Sequence, residues 1–258
     1  MQFKLLSSLN SNSKLEKSNK VQDKYLNVNM YIHPSSTKIC PYQDIAKCKE
    51  PCLNTAGLGG VYKSIQDARK RKTDLFLNDK TTFMSYLITD ITKFVNYCKK
   101  KGKLPAVRLN GTSDIQWENI YIGNMEQYTL DTSDIKLFNK KEQDLDCQNI
   151  FELFPNVQFY DYTKIPTRKT KHIPNYHLTW SYSEANQKYA DKFSDVEHNK
   201  AVVFNTKTLP SFFKGLKVID GDTHDMRFLD EDNVVVGLRA KGKAKTDTSG
   251  FVIQAVQI

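Results

Sequence analysis

Three cysteines, Cys40, Cys48 and Cys52, fall close together in the chain, with a histidine just before them in the order His33-x(6)-Cys40-x(7)-Cys48-x(3)-Cys52. Soft thiolates at such short separation suit one metal centre, because sulfur ligands favour zinc or an iron–sulfur cluster. A structural zinc site needs a fourth protein ligand, which His33 or a distant histidine such as His224 would supply. A cluster held by three thiolates instead leaves one iron open to a small molecule. The alternative, three small buried hydrophobes, suits the segment poorly, since Pro41, Asp44, Lys47, Lys49, Glu50 and Pro51 surround them. The remaining two of the five cysteines, Cys98 and Cys147, stand apart. An odd count in a reducing compartment argues against a disulfide framework.

A second group of reactive side chains sits where short β-rich runs end. In Val107-Arg108-Leu109-Asn110-Gly111-Thr112-Ser113-Asp114 the residues Arg108, Asn110 and Asp114 are candidates for substrate contact. Polar loops after strand carboxyl ends build the active sites of parallel α/β folds. Thr112, Ser113 or Asp114 would equally suit the cap of a following helix, with Gly111 making the turn. The ends Tyr160-Asp161-Tyr162-Thr163-Lys164 and Thr179-Trp180-Ser181-Tyr182-Ser183 have the same character, and so does Phe204-Asn205-Thr206-Lys207. Their aromatics would stack on a nucleobase or simply pack half-buried. Lys164 and Ser181 would contact phosphate or carboxylate. The loop Asp220-Gly221-Asp222-Thr223-His224-Asp225 is either an acid/base or metal site or a polar turn.

The elements that must position these groups follow from hydrophobic period. Leu26, Val28, Met30 and Ile32 alternate with polar residues, which predicts a strand over residues 25–32. Further strands are predicted over 106–109, 157–162, 176–180, 201–204, 216–219 and 234–238. Val61, Ile65, Ala68 and Phe76 recur at helical spacing, interrupted by the basic run Arg69-Lys70-Arg71-Lys72, expected to be a solvated face. Phe83, Leu87, Ile91, Phe94 and Cys98 mark a second helix that Gly102 ends. Strands alternating with connections imply an α/β fold with mostly parallel strands. About six units suit a partial (βα)6-type barrel better than a full one, which needs about 250 residues. Residues 1–24 read as a polar tail or edge segment, and 25–258 as one barrel-like domain.

No apolar run approaches the roughly 20 residues that span a bilayer, and the N-terminus lacks the features of a signal peptide, so no membrane association and a cytoplasmic location are expected. The formal charge of +9 favours a polyanionic partner, nucleic acid first.

Several blocks together resemble the phage-encoded gene product 88 family: Cys40-Pro41 with Cys48 and Cys52, the run Val107 to Asp114, Phe159-Tyr160-Asp161-Tyr162-Thr163-Lys164, His177-Leu178-Thr179-Trp180-Ser181 and Ala201-Val202-Val203-Phe204. The resemblance implies a bacteriophage origin and action in the host cytoplasm, without an activity to carry over. More distantly, a cysteine triad after the first strand of a βα barrel is similar to the radical S-adenosylmethionine enzymes, whose usual C-x(3)-C-x(2)-C is here lengthened to C-x(7)-C-x(3)-C. That resemblance implies an iron–sulfur cluster with S-adenosylmethionine on Cys40, Cys48 and Cys52. Asn110, Ser113, Lys164 and Ser181 would then contact cofactor, and Asp114 and Asp161 would be catalytic. The substrate would be nucleic acid or nucleotide-related.

A second resemblance is to the base-exchange transglycosylases, βα barrels with a Cys3His zinc site, some of which place deazaguanines in phage DNA. It implies Asp114 as base-recognising or acid/base residue and Asp161, Asp220 or Asp222 as nucleophile. Their zinc cysteines come late in the chain, whereas these come early. A non-catalytic, zinc-stabilised nucleic-acid-binding accessory protein is the third expectation.

Overall fold

The computed structural model describes residues 3–11, 13–124, 146–190 and 199–254. Its strands are β1 (Tyr25–Asn29), β2 (Leu104–Arg108), β3 (Gly123–Asn124), β4 (Asp146–Cys147), β5 (Gln158–Thr163) and β6 (Tyr176–Tyr182). They continue with β7 (Lys200–Asn205), β8 (Phe212–Phe213), β9 (Leu216–Asp220), β10 (Val235–Arg239) and β11 (Ile253–Gln254). Nine of them form one sheet in the order β1-β2-β5-β6-β7-β10-β9-β8, with β11 added on β7. Every pairing in it is parallel except β8 with β9, while β3 and β4 form a separate antiparallel pair. Each predicted strand run falls on a strand of this sheet. The four that the sequence pattern does not show, β3, β4, β8 and β11, have two residues each, too few to display a period of two.

The expected barrel does not close. The sheet is open, with β1 and β8 as its ends. Past β10 the order runs back to β9 and then to antiparallel β8, joined through Lys214 and Gly215 at φ 49° and 79°. A hairpin therefore stands where a further βα unit would have to bring a last strand round to the first. The outer edge of β1 is occupied by the N-terminal segment, where Leu6 bridges Met30 antiparallel and the Ser7 N–H donates to the Asn29 carbonyl at 2.8 Å.

Helices α1 (Ser13–Val21), α2 (Gly57–Val61), α3 (Lys63–Asn78), α4 (Lys80–Lys100), α5 (Ile150–Leu153) and α6 (Gln187–Ala190) are the α-helices among the described residues. The long helix α4 forms where predicted. Asp79 caps it by accepting from the Thr82 N–H at 3.0 Å, Lys99 and Lys100 occupy its last turn, and Gly102 leaves it at φ 64°. Its stripe Phe83, Leu87, Ile91 and Cys98 is fully buried and joins Val28, Val107, Phe159 and Leu178 of the sheet in the main core. Burial of each large side chain of this stripe stabilises the fold by roughly 1.5–3 kcal/mol.

Strand alternation gives the first four sheet strands two unlike faces. Val28, Val107, Phe159 and Leu178 point toward α4, whereas Asn27, Asn29, Arg108, Tyr160, His177 and Thr179 point the other way. That polar face is met by α1 and by the 224–230 segment, whose Asp225 N–H is held by the Ser18 hydroxyl at 2.9 Å. The basic run on α3 is only partly the solvated face expected of it. Lys70 and Arg71 are exposed, but Arg69 donates to the Asn54 side-chain oxygen at 2.7 Å and Lys72 to the Leu5 carbonyl at 2.7 Å.

The first 24 residues contain both an edge contact and a helix. Their apolar residues Leu5, Leu6 and Leu15 are buried, and the Asp90 carboxylate of α4 accepts from the Leu5 and Leu6 N–H groups at 2.7 and 3.0 Å. Asp90→Ala leaves both N–H groups without their acceptor and is expected to destabilise the protein by about 1–3 kcal/mol. A urea melt reads this directly, and a midpoint equal to wild type would show that the N-terminal segment is not anchored there.

Candidate functional site

The loops after β1, β2, β5 and β6 meet beyond the carboxyl ends of these parallel strands. Gly111 is required there by close approach: its N–H donates to the Met30 carbonyl at 3.0 Å, and a Cβ would lie 2.4 Å from that oxygen. The loop it opens is held by Asn110. The Asn110 amide nitrogen donates to the Ile115 carbonyl at 2.9 Å, and its side-chain oxygen accepts from Ser113 Oγ at 2.8 Å, the Ile115 N–H at 2.9 Å and Trp117 Nε1 at 3.2 Å. Asn110 and Ser113 thus shape the loop from within. None of Thr112, Ser113 and Asp114 caps a helix: Thr112 donates to the Ile32 carbonyl, and Asp114 reaches across to β5.

Asp161 lies on the apolar face of β5, fully buried, where an uncompensated carboxylate would be costly. Its Oδ1 accepts from the Asn110 N–H at 2.7 Å, and its Oδ2 from Asn110 Nδ2 at 3.1 Å and the Tyr176 hydroxyl at 3.0 Å. Burial nevertheless raises its pKa to about 7, with the Asn110 N–H and the charges of Arg108 and Arg168 pulling the other way. Asp114 is also buried, which raises its pKa, while Arg168 and the Lys164 N–H at 2.7 Å oppose the rise. Arg168 joins the two carboxylates. It pairs with Asp114 at 3.4 Å, donates from Nε to Glu118 at 2.8 Å, and donates to the Tyr176 hydroxyl at 2.7 Å. Arg168, Glu118 and Tyr176 were not legible as site residues, because Thr167-Arg168-Lys169 reads as an ordinary basic surface run.

The three thiols lie against this network. Burial is the first cause that raises each of their pKa values, Cys48 to about 11. For Cys40 the charges of Asp114, Cys52 and Cys48 add to the rise, and for Cys48 those of Cys52 and Asp114 do so against Lys164. The three sulfurs therefore share one electrostatic environment. Their backbone contacts differ: the Cys40 thiol donates to the Thr112 carbonyl at 3.9 Å, the Cys48 N–H donates to the Gln43 carbonyl at 3.0 Å, and Cys52 Sγ accepts from the Asn54 N–H at 3.4 Å. Lys164 Nζ donates to the Ser181 hydroxyl and carbonyl and stands 4.9 Å from the Phe251 ring centroid. Phe251 belongs to the small apolar cluster against which Cys48 packs.

The histidines expected as fourth ligands lie elsewhere. His33 is held beside α3 by its backbone, its N–H donating to Thr73 Oγ1 at 2.8 Å and its carbonyl accepting from the same hydroxyl at 2.8 Å, and His224 contacts Arg227 at 3.0 Å and Asp230 at 3.6 Å. Asp220 and Asp222 are tied to Arg239 at 3.0 and 3.2 Å, and Asp222 also to Lys241, so the polar turn is an ion-paired surface corner. Tyr160 and Trp180 are buried in packing and offer no face for a base. Cys98 is a core residue, and the side chain of Cys147 lies outside the described residues. Among the described residues no three His, Cys, Asp or Glu side chains converge as ligands of one ion, so the thiols are neighbours in a common environment rather than a closed cage.

The family model described as Gene product 88 matches residues 4–255, nearly the whole chain. The chain belongs to the phage gene product 88 family. No curated protein and no solved structure matches it, and the resemblances to radical enzymes and to transglycosylases draw no support from these comparisons. No helix among the described residues of this gene product 88 protein is long and apolar enough to cross a membrane.

The Asp161 carboxyl is expected to titrate near pH 7. Its folded pKa lies above the ordinary 3.8, so the stability it contributes as a neutral acid is complete below pH 3.8 and is lost as pH rises through about 7. Carbon NMR of the labelled carboxyl measures this: a midpoint near 7 is expected, and one in the ordinary carboxylate range would show that the hydrogen bonds outweigh burial.

Proposed function

We propose that this gene product 88 protein is an enzyme whose centre is a metal group held by Cys40, Cys48 and Cys52 at the carboxyl edge of the sheet. The observation that carries the reading is the donor set. Three half-buried thiols share one environment, the Cys52 sulfur accepting the Asn54 N–H, and their mutual repulsion allows them to ionise together only when a cation is bound between them. Hydrogen bonds to sulfur are also the means by which proteins tune thiolate-bound clusters.

Of the two histidines expected as ligands, His224 is engaged with Arg227 and Asp230 and His33 stands beside Thr73 of α3, which favours a three-thiolate group with an open position over a closed Cys3His zinc site. The group that fits the donor set best is an iron–sulfur cluster used with S-adenosylmethionine. When bound, it supplies one-electron chemistry to that cofactor. The protein's own residues then have separable parts. Lys164, whose charge acts on Cys48 and Cys52, and Ser181, to which its ammonium donates, would hold a carboxylate or phosphate of cofactor or substrate. Asp114 connects Cys40 to the β5 loop, and Asp161 holds Asn110, and through it Ser113, in place. With both oxygens engaged, Asp161 suits positioning and proton storage better than nucleophilic attack. On this reading the enzyme works in the cytoplasm of the infected host, acting on nucleic acid or a nucleotide-related substrate.

Anaerobic purification followed by iron, sulfide and zinc analysis tests the proposal. A four-iron cluster predicts iron and sulfide at about 4 each per chain, lost in Cys40→Ala, Cys48→Ala and Cys52→Ala. One zinc without iron would replace the radical reading by the base-exchange or accessory reading. Metal content unchanged in all three variants would remove the centre altogether.

A further inference from the structure

We propose that the polar face of the sheet is a binding site for a phosphate monoester, formed by Arg108, Tyr162, Thr179 and Arg227 with Lys14 beside them. This goes beyond the cysteine centre and stands on different residues. Arg108 comes from β2, Tyr162 from β5 and Thr179 from β6, with Tyr162 and Thr179 paired in register. The Arg108 guanidinium lies 4.5 Å from the Tyr162 ring centroid. The charges of Arg227, on the segment that covers the face, and of Lys14, on α1, also act on Tyr162.

Two independent observations point to an anion. The first is hydrogen-bonding capacity left over. Arg108 Nε, Arg227 Nε, the Tyr162 hydroxyl and the Thr179 hydroxyl are buried atoms without a partner. Thr179 is fully buried, Arg227 is 1% exposed and Arg108 8%, so leaving these groups unpaired is costly in the absence of a ligand. Every one of these four groups is a donor.

The second is charge. The ion pairs on this face are Lys14, partly exposed, with Asp225 at 3.0 Å, and the buried pairs Arg108 with Asp225 at 2.9 Å and Arg227 with Asp230 at 3.2 Å. Three cations are thus set against two carboxylates. The excess is felt by the histidines at its border: His177 and His224 are held neutral, first by burial and then by Arg227. A locally cationic face and four spare donors arriving from different elements match the several oxygens of a phosphate group better than the two of a carboxylate. Lys164 lies two residues beyond Tyr162, so the site leads toward the thiols.

Calorimetric titration of the full-length protein as purified, with inorganic phosphate, a nucleoside monophosphate and the matching nucleoside, tests this. The phosphate-bearing probes are expected to bind and the nucleoside to bind far more weakly. Tighter binding of the nucleotide would assign the site to a substrate's phosphate, and equal binding of both would assign it to free phosphate. Thr179→Val and Tyr162→Phe are each expected to weaken binding about tenfold while leaving the melting temperature equal or higher, because each removes a polar group that the ligand-free protein does not satisfy. A purely structural role predicts the opposite, a lower melting temperature with unchanged affinity. Cys48→Ala should retain phosphate binding, which separates this site's failure from failure of the metal centre. No phosphate binding by the wild-type protein, or wild-type affinity in both variants, would overturn the proposal.

Discussion

The pairing of the Asp161 carboxylate with Asn110 is the constraint on which the carboxyl edge of the sheet depends. A carboxylate on the face of β5 that packs toward α4 has no access to solvent, so the fold must bring it donors, and it does so with the Asn110 backbone and side chain and the Tyr176 hydroxyl. That requirement fixes where the chain turns after β2. From it follow the Asn110 contacts to Ser113, Ile115 and Trp117, and the position of Asp114, whose carboxylate accepts the Lys164 N–H and whose charge acts on the Cys40 thiol. Arg168 closes the circuit by touching Asp114, Glu118 and Tyr176. A buried network of this kind is costly when only partly satisfied, so its members hold one another in a single arrangement.

The two faces of the sheet divide the labour. One carries the core with α4, and its apolar packing supplies the stability that allows polar residues to accumulate on the other. The polar face draws on that stability: it buries Arg108, Arg227 and Asp225 in ion pairs whose desolvation offsets much of their attraction. Such a face is poor as a structural interface and useful as a place to hold a charged molecule. On the proposed readings, the thiols and the phosphate site would be two parts of one working edge, joined through β5 by Tyr162 and Lys164.

Much of the fold was legible because its elements obey simple periods. The alternation of Leu26, Val28 and Met30 and the spacing of Phe83, Leu87, Ile91 and Cys98 mark strand and helix where the structure has them. Closure of a barrel was not legible, since it depends on whether β8 turns back on β9, a matter of two residues at Lys214 and Gly215. The helix at Ser13–Val21 was hidden by its Ser, Asn and Lys content, which has low helix propensity in part and needs the burial of Leu15 and Ser18 to form. At the site, the cysteine cluster and the strand ends were visible as residue types. Arg168, Glu118, Lys14 and Arg227 were not, because a charged residue in a polar run carries no local sign that tertiary packing will bury it.

Joint ligation of one metal group by Cys40, Cys48 and Cys52 is the proposal on which the rest of the function turns. X-ray absorption at the metal edge of the anaerobically purified protein tests it most directly, since it reads the first coordination shell rather than the metal content. A sulfur-dominated shell at the metal–thiolate distance of about 2.3 Å is expected, depleted in each single cysteine variant. A shell of nitrogen and oxygen alone, unaltered by those substitutions, would contradict it.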